Sequence, residues 1–288
     1  MGYKFIGKSV WIPEEGALII TDLHIGYEEG LEIAMPRSQY KEMIEDFDKI
    51  FEEINKIENK NRDSNKINNN SKNNTRNLII NNKEDRVINN LKSAEAIIIN
   101  NKDVKKENNK IKEIIILGDL KHKLGGFSGQ EWKETREFLR YLKEKTGKII
   151  LIKGNHDNFL AGIAVEEGVE IKDYYISGDI AFIHGDKKIL EIEDKKIKTI
   201  FLGHFHPAIR LESGAKSEIY KCFLKGEWKE KEVIILPSFF PLVEGVDVSK
   251  EDTNLAYNFK LENFKVFIPA PDEALGFGKV KDVRRLIG

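Results

Sequence analysis

The chain has 288 residues, of which 40% are hydrophobic and 33% are charged. That hydrophobic share is sufficient for a sizeable buried core, so a globular protein is expected. The 47 Lys and Arg residues nearly balance the 48 Asp and Glu residues, and the resulting net charge of −1 provides no overall attraction to nucleic acid.

The single cysteine, Cys222, excludes an intramolecular disulfide and a zinc site built from several cysteines. It lies in a stretch that alternates polar and apolar residues, Tyr220-Lys221-Cys222-Phe223-Leu224, which predicts a buried, unreactive thiol. No apolar run approaches the ~18 residues that a membrane span requires. The first residues also lack the continuous apolar core of a signal peptide, so no membrane association and a cytoplasmic location are expected.

Buried strands and amphipathic helices alternate along the chain. Short apolar runs predict strands over residues 16–21, 113–117, 148–152, 199–202, 221–224 and 233–236. Apolar residues at helical spacing predict helices over 37–54 and 131–144. The segments 169–176 and 179–183 are expected to form a hairpin that turns at Ser177-Gly178. This alternation favours a layered α/β fold.

One segment, residues 55–110, differs in composition from the rest of the chain. It contains 18 asparagines in 56 positions and neither glycine nor proline. Such a segment buries too little apolar surface to offset the entropy of ordering it, so we interpret it as a low-complexity, disordered insert. Its short apolar patches at 78–80 and 96–99 are the strand candidates within it. The rest of 1–288 fits a single domain.

Polar side chains follow each predicted buried strand. All six histidines of the chain lie in these segments, together with two aspartates and an asparagine: Asp22, His24, Asp119, His122, Asn155, His156, His184, His204 and His206. Ligands of open α/β sheets bind beyond the carboxyl ends of the strands, so these side chains are expected to converge on one edge.

Mixed imidazole and carboxylate ligands suit Mn, Fe, Co, Ni or Zn better than Ca or Mg. Residues two apart on an extended segment point the same way, so Asp22 with His24, and His204 with His206, can each contact one site. Two neighbouring ions can hold a phosphate and activate a water molecule. The glycines before Asp119, Asn155 and His204 permit a close backbone approach.

Five motifs occur in order: Asp-x-His at 22–24, Gly-Asp at 118–119, Gly-Asn-His-Asp at 154–157, the lone His184, and Gly-His-x-His at 203–206. In this order they resemble the calcineurin-like metallophosphoesterase superfamily. Residues 118–122, 222–223 and 236–239 resemble its archaeal ICC-like phosphoesterases, which are similar to bacterial phosphoesterases found beside DNA ligase genes. The resemblance implies a four-layer α-β-β-α sandwich of two mixed sheets.

The resemblance also implies roles for individual residues. Asp22, His24, Asp119 and His206 would hold one divalent ion, and Asp119 would bridge to a second ion held by Asn155, His184 and His204. Manganese is the expected metal, with Fe, Ni, Co and Zn as alternatives. His156 would contact the phosphate and act as general acid or charge stabiliser, and Asp157 would orient its ring. Lys121 and His122 are candidates for contacting substrate or supporting a ligand, and a plain surface role is the alternative.

The implied activity is hydrolysis of a phosphodiester by a hydroxide that bridges the two metals. DNA or RNA is the first candidate substrate, and small or cyclic nucleotides are the alternative. A non-catalytic metal-binding scaffold is the third interpretation. Basic residues that either contact nucleic acid or form a solvated face include Lys121, Lys123, Arg136, Arg140, Lys187, Lys188 and Arg210. The sequence predicts no particular protein partner.

Overall fold

The computed structural model describes residues 2–30, 37–77, 111–213, 216–242, 244–250, 255–271 and 273–287. The chain divides into two compact units, one formed by Met1–Glu53 and Ile111–Gly288 and the other by Ile54–Lys110. The first unit contains both main sheets and every candidate site residue.

The strands are β1 (Lys4–Ile6), β2 (Ser9–Ile12), β3 (Ala17–Ile20), β4 (Glu113–Ile116), β5 (Ile149–Ile152), β6 (Glu170–Lys172), β7 (Tyr175–Ser177), β8 (Ile180–Ile183), β9 (Thr199–Leu202), β10 (Pro207–Ser213), β11 (Lys216–Lys221), β12 (Phe223–Trp228), β13 (Lys231–Ile235), β14 (Val246–Asp247), β15 (Lys265–Ile268) and β16 (Leu275–Lys279). The helices are α1 (Tyr27–Gly30), α2 (Ser38–Asn77), α3 (Gly129–Lys143), α4 (Ala161–Glu167) and α5 (Val280–Ile287), with short 3₁₀ helices at Leu190–Glu193 and Leu261–Asn263.

The first sheet has the strand order β1-β2-β3-β4-β5-β6. Its first three strands are antiparallel, and β3 to β6 run parallel. Every residue of β3, β4 and β5 is buried, as continuous apolar runs predict for strands covered on both faces. The strands predicted over 16–21, 113–117 and 148–152 are therefore confirmed.

The second sheet has the order β16-β15-β12-β13-β9-β8-β7, with β13, β9 and β8 parallel at its centre and antiparallel pairs on either side. A separate three-stranded sheet has the order β11-β10-β14. The strand predicted over 221–224 is wrong in its first part, because β11 ends at Lys221 and β12 starts at Phe223.

The predicted hairpin around Ser177-Gly178 is only partly correct. Strands β7 and β8 do pair antiparallel across Gly178, which has a φ of 59°. However, the segment predicted as one strand over 169–176 divides in two, because β6 pairs with β5 in the first sheet and β7 belongs to the second. The chain thus passes from one sheet to the other at residues 173–174.

The two sheets pack face to face. Their facing side chains, among them Ile115, Phe182 and Ile234, form one buried cluster. The other face of the second sheet is covered by a cluster that includes Val280 and Val283 of α5. Outside the first sheet, Phe47 of α2 packs on Phe138 of α3 with ring centroids 5.3 Å apart. The four-layer arrangement of two mixed sheets is confirmed.

Helix α2 is longer than its amphipathic pattern predicts. It begins at Ser38 and continues past Ile54 to Asn77, so it includes the first part of the Asn-rich insert. The apolar patches at 78–80 and 96–99 lie outside the described residues, and the disorder of the insert stays a prediction. In the described part of the chain, every helix is too short or too polar to be a membrane span.

Candidate metal centre

The candidate residues come together where the central strands of the two sheets end. Asp22 and His24 follow β3, Asp119 follows β4, and the neighbouring turns are joined by backbone hydrogen bonds. The amide of Asp22 donates to the Gly118 carbonyl over 3.0 Å, and the amide of His24 donates to the Asp119 carbonyl over 2.9 Å. In the second sheet, the Gly203 amide donates to the His184 carbonyl over 3.0 Å. These bonds bring the strand ends of each sheet into register.

Five of the candidate ligands have left-handed backbone conformations. Their φ values are 51° at Asp22, 44° at His24, 51° at Asp119, 65° at His204 and 48° at His206. Residues other than glycine seldom adopt this region, because the Cβ atom then crowds the following carbonyl. Such conformations are concentrated at functional sites, where the surrounding structure holds them in place.

Three glycines permit the close packing of these turns, as the sequence predicts. A Cβ atom on Gly118, which has a φ of 96°, would overlap the His184 imidazole. A Cβ on Gly154 would overlap the Asp119 carboxylate, and a Cβ on Gly203 would overlap Thr21. At the last two positions the need for glycine is steric, since neither has a positive φ.

The first set of donor atoms consists of Asp22, His24, Asp119 and His206. One ligand atom from each lies within 4.8 Å of all the others. The Nε2 atom of His206 is 2.9 Å from Asp22 Oδ1 and 3.2 Å from His24 Nε2, and His24 Nε2 is 3.8 Å from Asp119 Oδ2. Ligands of one ion, each about 2.1 Å from it, stand roughly 3 Å from one another.

The second set of donor atoms consists of Asp119, His184 and His204. The Nε2 atom of His184 is 3.4 Å from Asp119 Oδ2 and 3.2 Å from His204 Nδ1. Asn155 joins this set, because its Oδ1 lies 3.2 Å from the same His184 Nε2. Both donor sets therefore contain the Asp119 carboxylate, and together they are consistent with a dinuclear metal site.

Two observations on unpaired groups fit a bound cation. Asp22 Oδ1 is buried and receives no well-formed hydrogen bond within the described residues, and the group beside it, 2.9 Å away, is another candidate ligand atom, His206 Nε2. Two imidazole Nε2 atoms, from His24 and His206, also face each other beside two carboxylates. Lone pairs that converge in this way repel one another unless a positive charge lies between them.

The charge states of the histidines follow from burial and from the aspartates. Burial lowers the pKa of His24 to about 3, so its imidazole is neutral and can act as a ligand. Burial by itself would also lower the pKa of His184, but the hydrogen bond to Asp119 outweighs it and raises this pKa to about 10. A divalent ion bound by Asp119 and His184 would displace that proton.

His156 and Asp157 are placed beside the donor sets, with different partners from those expected. The Nδ1 atom of His156 is hydrogen-bonded to the His122 carbonyl, and the amide of His156 donates to Asp119 Oδ1 over 2.9 Å. Within the described residues no hydrogen bond joins the Asp157 carboxylate to the His156 ring, and the carboxylate accepts the amides of Asp119, Leu120 and Gly154 at 2.7, 2.9 and 2.9 Å. The expected orienting role of Asp157 therefore belongs to a carbonyl, and Asp157 organises the two ligand turns.

Lys121 and His122 have separate positions. Lys121 is fully buried, and its Nζ donates to the carbonyls of Lys123 and Gly125, so it braces the loop. The His122 ring stacks on that of His156 with centroids 5.3 Å apart, and it is 5.5 Å from the His24 ring. His122 therefore belongs to the wall of the site.

Three supporting residues were not identified from the sequence. Thr21 Oγ1 donates to Asp22 Oδ2 over 2.7 Å, and Ser238 Oγ donates to the Asp22 carbonyl over 3.0 Å. Glu131 accepts the amides of His122 and Lys123 at 2.9 and 2.8 Å. Glu131 stands three positions after Ser128, a spacing typical of a helix-capping box, but its carboxylate binds the neighbouring loop.

Several of the basic residues considered for nucleic-acid contact are paired with acids. Arg136 and Arg140 each lie 2.9 Å from Glu167 Oε1, Lys187 lies 2.5 Å from Asp173, and Arg210 lies 3.4 Å from Asp247. Such pairing reduces the positive field that these residues would present to a polyanion.

The family assignment agrees with this geometry. The family model described as calcineurin-like phosphoesterase matches residues 17–266, which include every candidate ligand. The chain belongs to the calcineurin-like phosphoesterase family, whose members are generally metal-dependent hydrolases. No curated protein sequence matches the chain.

Solved structures are similar to this chain at low sequence identity. The nuclease MPE of Pseudomonas putida has 14% identity and a TM-score of 0.53, over 96% of this chain and 100% of that one. A Vps29 double mutant from Entamoeba histolytica has 16% identity and a TM-score of 0.26, over 58% of this chain and 83% of its own. The similarity to nuclease MPE supports the fold, whereas the TM-score to Vps29 is too low to do so.

Proposed function

We propose that the chain is a phosphodiesterase that uses two divalent metal ions, and that its substrate is a nucleic acid. The observation that carries the proposal is the sharing of Asp119 between two adjoining donor sets, with His156 beside both. Two divalent ions, when bound, would neutralise phosphate charge and lower the pKa of a water molecule.

The first donor set would comprise Asp22, His24, Asp119 and His206. The second would comprise Asp119, Asn155, His184 and His204. Manganese is the metal we propose. Fe, Co, Ni and Zn are the alternatives, since all five metals accept mixed imidazole and carboxylate ligands.

His156 is the residue we propose for protonating the leaving group. Its Nδ1 faces the His122 carbonyl, which can only accept a hydrogen bond, so Nδ1 carries a proton. The second ring nitrogen, Nε2, is then the atom that takes up and releases a proton. A positively charged ring would also attract a phosphate oxygen. Asp157 supports this arrangement indirectly, because it fixes the turns that carry Asp119 and His156.

The test is hydrolysis of bis-p-nitrophenyl phosphate beside its monoester, with protein stripped of metal and refilled with Mn, Ni or Zn. We expect metal-dependent cleavage of the diester that is abolished in Asp119→Asn and reduced in His156→Ala. Two bound ions without turnover on either compound would overturn the proposal in favour of a metal-binding scaffold. An Asp119→Asn variant that keeps full metal content and turnover would show that Asp119 does not bridge the two ions.

The substrate proposal is based on the structural similarity to nuclease MPE and on the resemblance to ligase-associated enzymes. The net charge and the paired arginines do not themselves favour binding of a polyanion. Its test is binding of a DNA or RNA oligonucleotide across a salt series. A steep loss of affinity with salt is expected for a nucleic acid, because each phosphate contact releases counterions. A flat salt dependence, with tighter binding of a cyclic nucleotide, would favour the small-nucleotide alternative.

A further inference from the structure

Segment 238–240, which carries no candidate ligand, is bonded to the turn that contains Asp22. Ser238 Oγ and the Phe240 amide both donate to the Asp22 carbonyl, over 3.0 and 3.4 Å. The Phe239 amide donates to the carbonyl of the residue before Asp22 over 3.1 Å. The segment therefore holds the backbone of one ligand of the first donor set.

Asp22 depends on support of this kind, because its φ of 51° is one that residues other than glycine seldom adopt. Such a conformation persists only where the surrounding structure fixes it. The Asp22 carboxylate accepts hydrogen bonds from Thr21 Oγ1 and the His204 amide, and segment 238–240 bonds the carbonyl. A shift of this segment would move the carboxylate away from His206 Nε2, which lies 2.9 Å from Asp22 Oδ1.

Lys221 fixes segment 238–240 through two of its carbonyls. The Lys221 Nζ donates to the Ser238 carbonyl over 3.0 Å and also to the Phe240 carbonyl. The Ser238 carbonyl and the Phe239 amide belong to one planar peptide group, so orienting the carbonyl also orients the amide that bonds the ligand turn. Two N–H donors suffice for these bonds, and a lysine side chain provides them.

Lys221 also adjoins the strand that follows another ligand of the first donor set. It is the last residue of β11 and pairs with Ala208 of β10, the strand that begins directly after His206. Lys221 thus connects the segment behind Asp22 to the strand that continues from His206. These two ligands come from strand ends far apart in the sequence, and their side chains must meet at one ion.

We infer that Lys221 is a positioning residue of the first donor set. By fixing segment 238–240, it holds the Asp22 carboxylate opposite His206, as a shared ion requires. Lys221 acts through Asp22 and is not itself a proposed ligand. The inference rests on the two-metal site of the proposed function.

The variant that tests this role is Lys221→Met, which keeps an apolar stem and removes the N–H donors. Lys231→Met is the matched control, because Lys231 Nζ likewise donates to two backbone carbonyls, those of Asp194 and Ile197, over 2.6 and 2.9 Å. Lys231 stands at the start of β13, at the end of the second sheet away from the ligands. Both variants leave two carbonyls without a donor, so both should lose stability.

Equilibrium dialysis against manganese, with elemental analysis, measures the affinity for each ion, and added sucrose favours the folded state of every variant. We expect Lys221→Met to weaken one of the two ions about 10- to 100-fold, the usual effect of removing a residue that orients a metal ligand. The other ion should change little, because Asp22 is outside the second donor set. Lys231→Met should bind both ions as the wild type does, and Lys221→Arg, which retains N–H donors, should recover part of the lost affinity.

A double-mutant cycle with Ser238→Ala tests the route of the effect. Ser238→Ala removes the hydroxyl bond to the Asp22 carbonyl and should weaken the same ion. Because both residues act through one segment, the double variant should lose less affinity than the product of the two single losses. Losses that multiply independently would show that Lys221 acts by another route and would overturn the inference.

Unchanged manganese binding in Lys221→Met, or an equal loss in Lys231→Met, would also overturn the inference. Failure of the proposed function gives a different result. The wild type would then bind two ions but hydrolyse neither the phosphate diester nor the monoester, and the manganese affinities of the variants would still test the role of Lys221.

Discussion

Replacing Gly154 by alanine should disable both metal positions through a single methyl group. The added Cβ would lie 2.6 Å from the Asp119 amide nitrogen and 2.9 Å from His184 Nε2, and it would overlap Asp119 Oδ1. Real Cβ atoms essentially never approach within 3.0 Å, and here part of the obstacle is backbone, which cannot rotate away. Because Asp119 is common to both donor sets, its displacement would affect both ions.

The structure also gives the expected cost. Forcing an extra methyl group into a packed site costs about 1–3 kcal/mol, and no backbone term adds to this because the φ of Gly154 is not positive. We expect the free energy of unfolding of the metal-free protein to fall by about 2 kcal/mol. Urea denaturation measures this change, and equilibrium dialysis against manganese with elemental analysis counts the bound ions.

Gly162→Ala is the control for this experiment. Gly162 lies in α4, where an added Cβ would meet only Trp132, at an ordinary 3.7 Å. Alanine is the better helix former, so this variant should be unchanged or more stable by up to about 1 kcal/mol. A Gly154→Ala protein that binds two ions with wild-type affinity would refute the assignment of Asp119 to both donor sets.

Buried groups give three further predictions. Asp157→Ala should weaken metal binding, since it removes the acceptor of three turn amides, whereas His156→Ala should bind metal normally. Elemental analysis of both variants distinguishes a residue that positions the metal ligands, as proposed for Asp157, from one that acts at the phosphate, as proposed for His156. Burial lowers the pKa of Lys221 in the folded protein to about 7, so above that pH the unfolded chain binds one proton more than the folded protein does. The stability of the wild type relative to Lys221→Met should therefore rise between pH 7 and 10, by on the order of 2 kcal/mol in urea titrations. Cys222 is fully buried, with a raised thiol pKa, and should react with a thiol reagent only as fast as the protein unfolds; rapid labelling under native conditions would contradict that burial.

The parts of the fold that could be predicted from sequence are those with strong local patterns. The continuous apolar runs of β3, β4 and β5 predict these strands directly, because strands buried on both faces are built almost wholly from apolar residues. The division of 169–176 between two sheets could not be predicted, since both β6 and β7 have ordinary strand sequences and only tertiary packing decides which sheet each joins.

The candidate ligands could be found because they directly follow buried strands in recognisable spacings. The supporting residues could not, because each of them acts through the fold. Glu131 belongs to none of the ligand motifs, and its place at the start of a helix suggests an ordinary capping role. Only the packing of α3 against the loop after β4 brings its carboxylate to the amides of His122 and Lys123.

The left-handed conformations of the ligands have a consequence for how the protein handles metal. Each costs about 1–2 kcal/mol in an isolated chain, and hydrogen bonds between the turns help to meet that cost here. The ligand turns are thus held by the fold as well as by any bound ion, whereas a zinc finger folds only around its metal. Chelation should therefore leave the protein folded, and one divalent ion should replace another without unfolding.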